Sequence, residues 1–116
     1  MKQKISPYKF MKPITKSVRH ESKKLRDSAR GKECQIRIPN VCCGNNETTV
    51  LCHLNGGGMG KKHSDLLASY GCDQCHAAVD GRLKTSYSAE ELRVMLMDGI
   101  MRSQQMMLDD GLVELA

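Results

Sequence analysis

An α+β fold is predicted by three features of the sequence. Two short runs rich in apolar and β-branched residues, TTVLCHL at 48–54 and DLLASYGC at 65–72, flank a glycine-rich stretch, the pattern of a hairpin. Ser88 followed by Glu91 forms a capping-box signature, and it opens a helical periodicity through Leu92, Met95, Leu96, Ile100, Met101 and Met106 to about residue 108. Six cysteines stand in a chain with one Phe, three Tyr and no Trp, so the large rings that usually fill a core of this size are nearly absent. The cysteines are the candidates for what replaces them.

A chain of 116 residues suits one domain, expected over 20–116 with its core at 31–82. Residues 1–19 carry Pro7, Pro13, scattered lysines and no sustained apolar period, which predicts an extended or disordered arm. HESKKLRDSAR, His20 to Arg30, is helix-permissive and stops at Gly31, a suitable C-terminal cap. QIRI, Gln35 to Ile38, alternates before Pro39 and suits a short strand or a knuckle. The first hairpin strand then runs from Thr48 to Leu54, the loop NGGGMGKKHS follows, and the second strand starts from Asp65. DQCHAAVDGR reads as a short helix closed near Gly81, and the long helix occupies about 88–108. Five of the eight methionines lie on that helix, where helical spacing favours core packing over a partner surface. Gly111 ends it, and LVELA forms a terminal strand or trails away.

The first twenty residues hold no apolar run of seven, so no secretory signal peptide is expected, and nothing approaches the roughly 20 apolar residues of a membrane helix. A cytoplasmic protein without membrane attachment is expected, in which thiols stay reduced and paired cysteines point to metal or catalysis. Charge is uneven: residues 1–33 carry eleven Lys or Arg against three acids, 34–82 balance four against four, and 83–116 carry three against six. A basic arm on a neutral middle is the distribution of a nucleic-acid binder, because lysines gain by releasing phosphate counterions. A solubilising tail has the same composition, so the arm alone decides nothing.

Cys72 and Cys75 form C-x2-C, a spacing that lets two thiolates converge on one zinc from a tight turn entering a helix. Cys34 with Cys42 or Cys43 is available to supply the other two corners, closing a loop around QIRIPNV. Four thiolates with bonds of about 2.3 Å leave zinc no open position, so the site is structural. A redox C-x2-C would require a βαβ context that the sequence lacks. His76 follows Cys75 directly and Asp80 lies four residues on, so both share one helix face and can address one ion. His53 ends the first strand.

Here the residues resemble a known family. VLCHL, then GGG, DLL and C-x2-C-H, is similar to the HNH endonucleases of the ββα-metal (His-Me finger) class. More closely, KLRDSARGKECQIRIPNVC, NNETTVLCHL and DLLASYGCDQCHAAVDGR resemble the prophage YbcO-type nucleases, relatives of the phage Ref nuclease, over about residues 24–82. The resemblance implies a zinc-bound ββα-metal domain with flanking helices. It implies His53 as general base, Asp65 in the place of the middle Asn that props it, and His76 as ligand of a catalytic divalent metal, with Asp80 where some members place another. Cys34, Cys42, Cys72 and Cys75 match the structural zinc cage, and Cys43 has no counterpart. Many HNH enzymes carry an aspartate just before the base; here Cys52, a soft donor ill suited to Mg2+, takes that position. The second ligand is therefore open, with Asp65 and His63 as fallbacks and Zn2+, Ni2+ or Mn2+ as alternatives to Mg2+.

The implied activity is endonucleolytic cleavage of DNA in phage or prophage DNA processing. Hydrolysis needs a base for the attacking water, stabilisation of the leaving 3′ oxygen and neutralisation of the phosphate. Imidazole, with an ordinary pKa near 6.5, suits the first task. Lys61, Lys62 and Arg82 are candidates to grip flanking phosphates. Each histidine also has a plainer role: His53 as a hydrogen-bonded core residue, His76 as a replacement zinc ligand, and His20 and His63 as exposed side chains. Asp65 is equally suited to a turn. Two other functions fit the residues, a zinc-stabilised nucleic-acid-binding module without cleavage, favoured by Cys52, and a zinc-scaffolded interaction domain using the Met-rich helix.

Overall fold

A computed structural model describes residues 19–54 and 63–116. The described elements are helix α1 (Lys23–Ser28), strands β1 (Val50–His53) and β2 (Ala68–Gly71), and helices α2 (Asp73–Val79) and α3 (Ala89–Asp109). β1 and β2 pair antiparallel with Leu51 opposite Tyr70 and Cys52 opposite Ser69, the α+β hairpin that the apolar runs predict.

The elements are shorter than the sequence periodicities, for local reasons. Ser22 accepts a hydrogen bond from the Leu25 amide and so starts α1 three residues after His20. Gly31, with φ of 85°, follows its end. Gln35–Ile38 is no strand but a knuckle: Arg37 and Asn40 both take positive φ, at 54° and 63°, which turns the chain back on itself. Asn45 caps a 3-10 turn over 46–48 by accepting from the Glu47 amide, so β1 starts at Val50 rather than Thr48. Residues 65–67 turn instead of extending β2, since the Asp65 amide donates to the His20 carbonyl (2.9 Å) and the Leu67 amide to Ser64 (2.8 Å). The predicted loop lies mostly at 55–62, outside the described residues. LVELA forms no strand; Leu112 and Val113 instead cover part of the core.

α3 is the platform. Both halves of its capping box are present: the Ser88 hydroxyl accepts from the Glu91 amide at 3.1 Å, and the Glu91 carboxylate accepts from the Ser88 amide at 2.9 Å. Its inward face, Leu96, Gly99, Ile100, Ser103 and Met107, lies along β2. Ser103 donates to the Gly99 carbonyl (2.7 Å) and accepts from the Tyr70 amide (2.9 Å), so a helix side chain satisfies the outer edge of β2. The Gln35 amide takes the Tyr70 carbonyl at 2.7 Å, which docks the knuckle on the same edge. Met101, assigned by periodicity to the core, is 71% exposed; it sits about 100° from Ile100 around the helix and faces solvent, while Met107 is fully buried.

Two apolar clusters result. One gathers Ile36, Ile38, Ala78, Leu96 and Ile100 around Cys34, Cys52, Cys72 and Cys75. The other gathers Leu25, Ala29, Leu51, Ala68, Tyr70 and Met107. Tyr70 is the single fully buried ring among the described residues, and its hydroxyl meets Ser28 Oγ at 2.9 Å. Since Ser28 already donates to the Leu25 carbonyl, Tyr70 is the donor in that pair.

Gly99 is where α3 comes closest to the sheet and knuckle. A Cβ there would lie 2.5 Å from Ser69 Oγ and 3.0 Å from the Gln35 carbonyl oxygen. Gly99→Ala is therefore expected to destabilise: overpacking costs about 1–3 kcal/mol, against at most about 1 kcal/mol gained from helix propensity. Thermal unfolding should show a lowered Tm; an unchanged or raised one would mean the knuckle yields freely.

Candidate metal centre and histidine–aspartate pair

The Sγ atoms of Cys34, Cys42, Cys72 and Cys75 all lie within 4.8 Å of one another, and Cys72 to Cys42 is 3.9 Å. A tetrahedron with bonds of about 2.3 Å has edges of about 3.8 Å, so the cluster fits zinc with at most small side-chain shifts. The knuckle brings Cys34 and Cys42 to one side. Cys72 caps α2 and Cys75 occupies its first turn, on the other.

Backbone amides reinforce the sulfurs. Cys34 receives those of Ile36, Arg37 and Cys72; Cys42 that of Gly44; Cys72 that of Cys75 at 3.4 Å; Cys75 that of Ile38. Amides pointed at sulfur favour thiolate over thiol. Cys34 is drawn down to about 4, mainly by the hydrogen bond from Cys75, while the same bond and burial push Cys75 up. Burial raises Cys42 to about 11. A metal binding here would meet the thiolate-favouring environment of Cys34 and displace thiol protons to solvent.

Of the two candidates for the second knuckle sulfur, Cys42 enters the cluster. Cys43 turns outward to Asp73 Oδ1 at 3.4 Å. Cys52 is fully buried in the apolar cluster, and burial, followed by the charges around it, pushes its thiol well up. It packs as a neutral residue.

The second assembly is His53 with Asp65. Nε2 of His53 lies 2.6 Å from Asp65 Oδ1. Asp65 is buried and carries further partners: the Ser22 amide at 2.5 Å and Arg26 Nε at 3.5 Å, both on Oδ2, and Arg19 Nη2 at 3.7 Å on Oδ1. Burial pushes the carboxyl up, but the Ser22 amide, the His53 ring and the Arg26 charge outweigh it and hold it below the ordinary value. With Asp65 ionised, Nε2 of the ring is the donor in this pair. The turn carrying Asp65 is anchored by Gln104 Nε2 on the Leu66 carbonyl (2.8 Å) and by His20 N on Ser64 Oγ (2.8 Å).

The third is on α2. His76 Nε2 lies 3.1 Å from Asp80 Oδ2, so the i, i+4 pair does share a face. Two donors about 2.1 Å from one ion at right angles stand about 3.0 Å apart, so the pair fits a small divalent cation. Arg82 Nη2 also approaches Asp80 Oδ2, at 3.3 Å, and is mostly exposed. Among the described residues, ligand atoms gather in threes or more only at the four cysteines and at Cys43, Cys72 and Asp73; His76 with Asp80 stays a pair, and His53 with Asp65 stays separate from it. Lys61 and Lys62 lie outside the described residues. Sequence reasoning missed Arg19, Arg26 and the Ser22 amide; their only signal was the basic character of the segment before Gly31.

Fold and site define a small α+β protein built on a four-thiol cluster of metal-binding geometry, with a histidine paired to a buried aspartate at the end of its hairpin. The family model described as "Putative nuclease YbcO" matches residues 23–112. A protein of that name from Escherichia coli (strain K12) is 40% identical over 96 residues, covering 78% of this chain and 96% of its own length, and "Putative nuclease ybcO" of Enterobacteria phage 82 matches equally. A solved structure of "a putative bacteriophage protein from Escherichia coli str. K-12 substr. MG1655" superposes with a TM-score of 0.65 at 38% identity, covering 76% of this chain and all of that one. The chain belongs to the YbcO family.

Proposed function

We propose that the protein is a metal-dependent DNA endonuclease of the HNH, ββα-metal type, related to the phage Ref nuclease and acting in phage or prophage DNA processing in the host cytoplasm. The nuclease names of its relatives support the activity. The observation that carries the mechanism is the 2.6 Å bond between His53 and buried Asp65 at the end of β1. Asp65 holds the ring in the tautomer whose Nδ1 takes a proton from the attacking water; the water oxygen bonds to phosphorus as the P–O3′ bond breaks, and the leaving 3′ oxygen takes a proton from solvent, giving a 5′-phosphate and a 3′-hydroxyl. His76 and Asp80 would hold Mg2+ or another divalent cation, which supplies neutralisation of the phosphate and of the leaving oxygen. Cys34, Cys42, Cys72 and Cys75 would hold a structural Zn2+. Residues 20–116 form one nuclease domain behind a basic arm, and Lys61, Lys62 and Arg82 grip flanking phosphates.

The test is plasmid nicking with Mg2+ or Mn2+ by the wild type and His53→Ala. The variant should lose about 10²–10⁴-fold in rate while keeping its zinc and its DNA affinity. Absence of nicking by the wild type with every divalent ion tried would refute an enzyme. A second reading, a zinc-stabilised nucleic-acid-binding module without cleavage, is favoured by Cys52: the position before the base holds a buried neutral thiol, which contributes no ligand. On that reading salt-sensitive DNA binding persists and nicking does not occur.

A further inference from the structure

We infer that the outer face of α1 and the start of β1 form a phosphate subsite that holds the duplex backbone beside the His53–Asp65 pair. This rests on the nuclease reading and extends it to residues outside that reading. A cavity of about 440 Å³ is lined by Lys23, Arg26, Asp27, Arg30, Thr49 and Val50. Three cations face it against one carboxylate, so its local charge is positive. Lys23, Arg26 and Arg30 recur at helical spacing on one exposed face, because Leu25 and Ala29 turn the opposite face into the core.

A second, independent observation points to a ligand. Thr49 is 3% exposed, and its hydroxyl is the one buried side-chain polar atom among the described residues without a hydrogen-bond partner. A buried hydroxyl is ordinarily satisfied. The hydroxyl is closed to solvent in this structure, so a turn of the Thr49 side chain toward the cavity it lines brings it to an anion's oxygen, an acceptor that a diffuse basic surface does not offer.

Arg26 ties this cavity to the site. It lines the cavity and also reaches Asp65 Oδ2 at 3.5 Å, and Asp65 bonds His53 through its other oxygen. The cavity and the proposed base are thus two side chains apart. On this inference the subsite takes the backbone of a duplex that also reaches the pair, rather than free phosphate.

Fluorescence anisotropy with a 20-bp DNA duplex and the zinc-loaded full chain, without added divalent cation, tests the subsite across a range of salt. Lys23 and Arg30 are exposed, so Lys23→Gln/Arg30→Gln should fold normally and weaken binding about tenfold. The slope of log affinity against log salt should shrink by about 2, near 0.9 per lost phosphate contact. Thr49→Val, close in shape and lacking the hydroxyl, should weaken binding several-fold with the slope unchanged. An unaltered slope in the double variant, or wild-type affinity in Thr49→Val, overturns the subsite. Nicking is scored separately: loss of slope without any wild-type nicking keeps the subsite and removes the nuclease reading, whereas nicking with an unaltered slope does the reverse.

Discussion

Removing metal from the cysteine cluster is expected to unfold the protein. Cys34, Cys72 and Cys75 are not attached to a finished core; they are members of it, packed among Ile36, Ile38, Ala78, Leu96 and Ile100. Structural zinc contributes on the order of 10–16 kcal/mol in small finger peptides, against a whole-domain stability of about 5–15 kcal/mol. With one buried ring among the described residues, little apolar burial remains to replace it. Elemental analysis should find one Zn per chain. A strong chelator, or Cys72→Ser, should abolish the cooperative thermal transition, whereas Cys43→Ser should retain both metal and fold because its sulfur faces Asp73. A chain that keeps its transition after chelation, or loses it equally with Cys43→Ser, would mean that the four sulfurs do not bind the staple.

Asp65 is the second position of large effect, because it serves stability and the proposed chemistry together. Asp65→Ala leaves the Ser22 amide, the His53 ring and two guanidinium groups without their shared acceptor. Arg19 and Arg26 reach water, so their loss is small. The part-buried amide and ring set the cost, at about 2–4 kcal/mol. Asp65→Asn keeps the volume but removes the charge that selects the ring tautomer. It should cost less stability and still lower nicking by about 10²-fold or more, as expected when a general base loses its orienting partner. Rates equal to wild type in a folded Asp65→Asn would sink the assignment.

Acidity follows from the same group. The folded protein holds Asp65 below the ordinary carboxylate value, so as pH falls the unfolded chain takes the proton first. Its stabilisation is present above about pH 4, the unfolded value, and is lost as pH falls through the lower folded one. Denaturant titrations should therefore show the gap between wild type and Asp65→Ala closing below about pH 4.

The hairpin, the capped long helix and the C-x2-C turn were legible because each depends on residues close in sequence: strand-prone runs bounded by glycines, Ser88 with Glu91, Cys72 with Cys75. The His76–Asp80 pair was legible for the same reason, since a helix sets its spacing. The knuckle at 35–38 was ambiguous, as alternation alone does not distinguish a strand from a turn whose positive φ values depend on what the chain folds against. Met101 shows the limit of periodicity, for a stripe of apolar residues is wider than the face that a single neighbouring strand covers.

The sequence by itself determined the local elements, the presence of a thiol cluster and the family to which the chain belongs. Tertiary structure decided which thiols meet, with Cys42 inside the cluster and Cys43 and Cys52 outside it, and it set Asp65 against His53 with Ser22, Arg19 and Arg26 around the same carboxylate. The reason is physical: a buried carboxylate or thiolate is tolerable only when groups distant along the chain converge to compensate its charge, and spacing along one segment carries no record of that convergence.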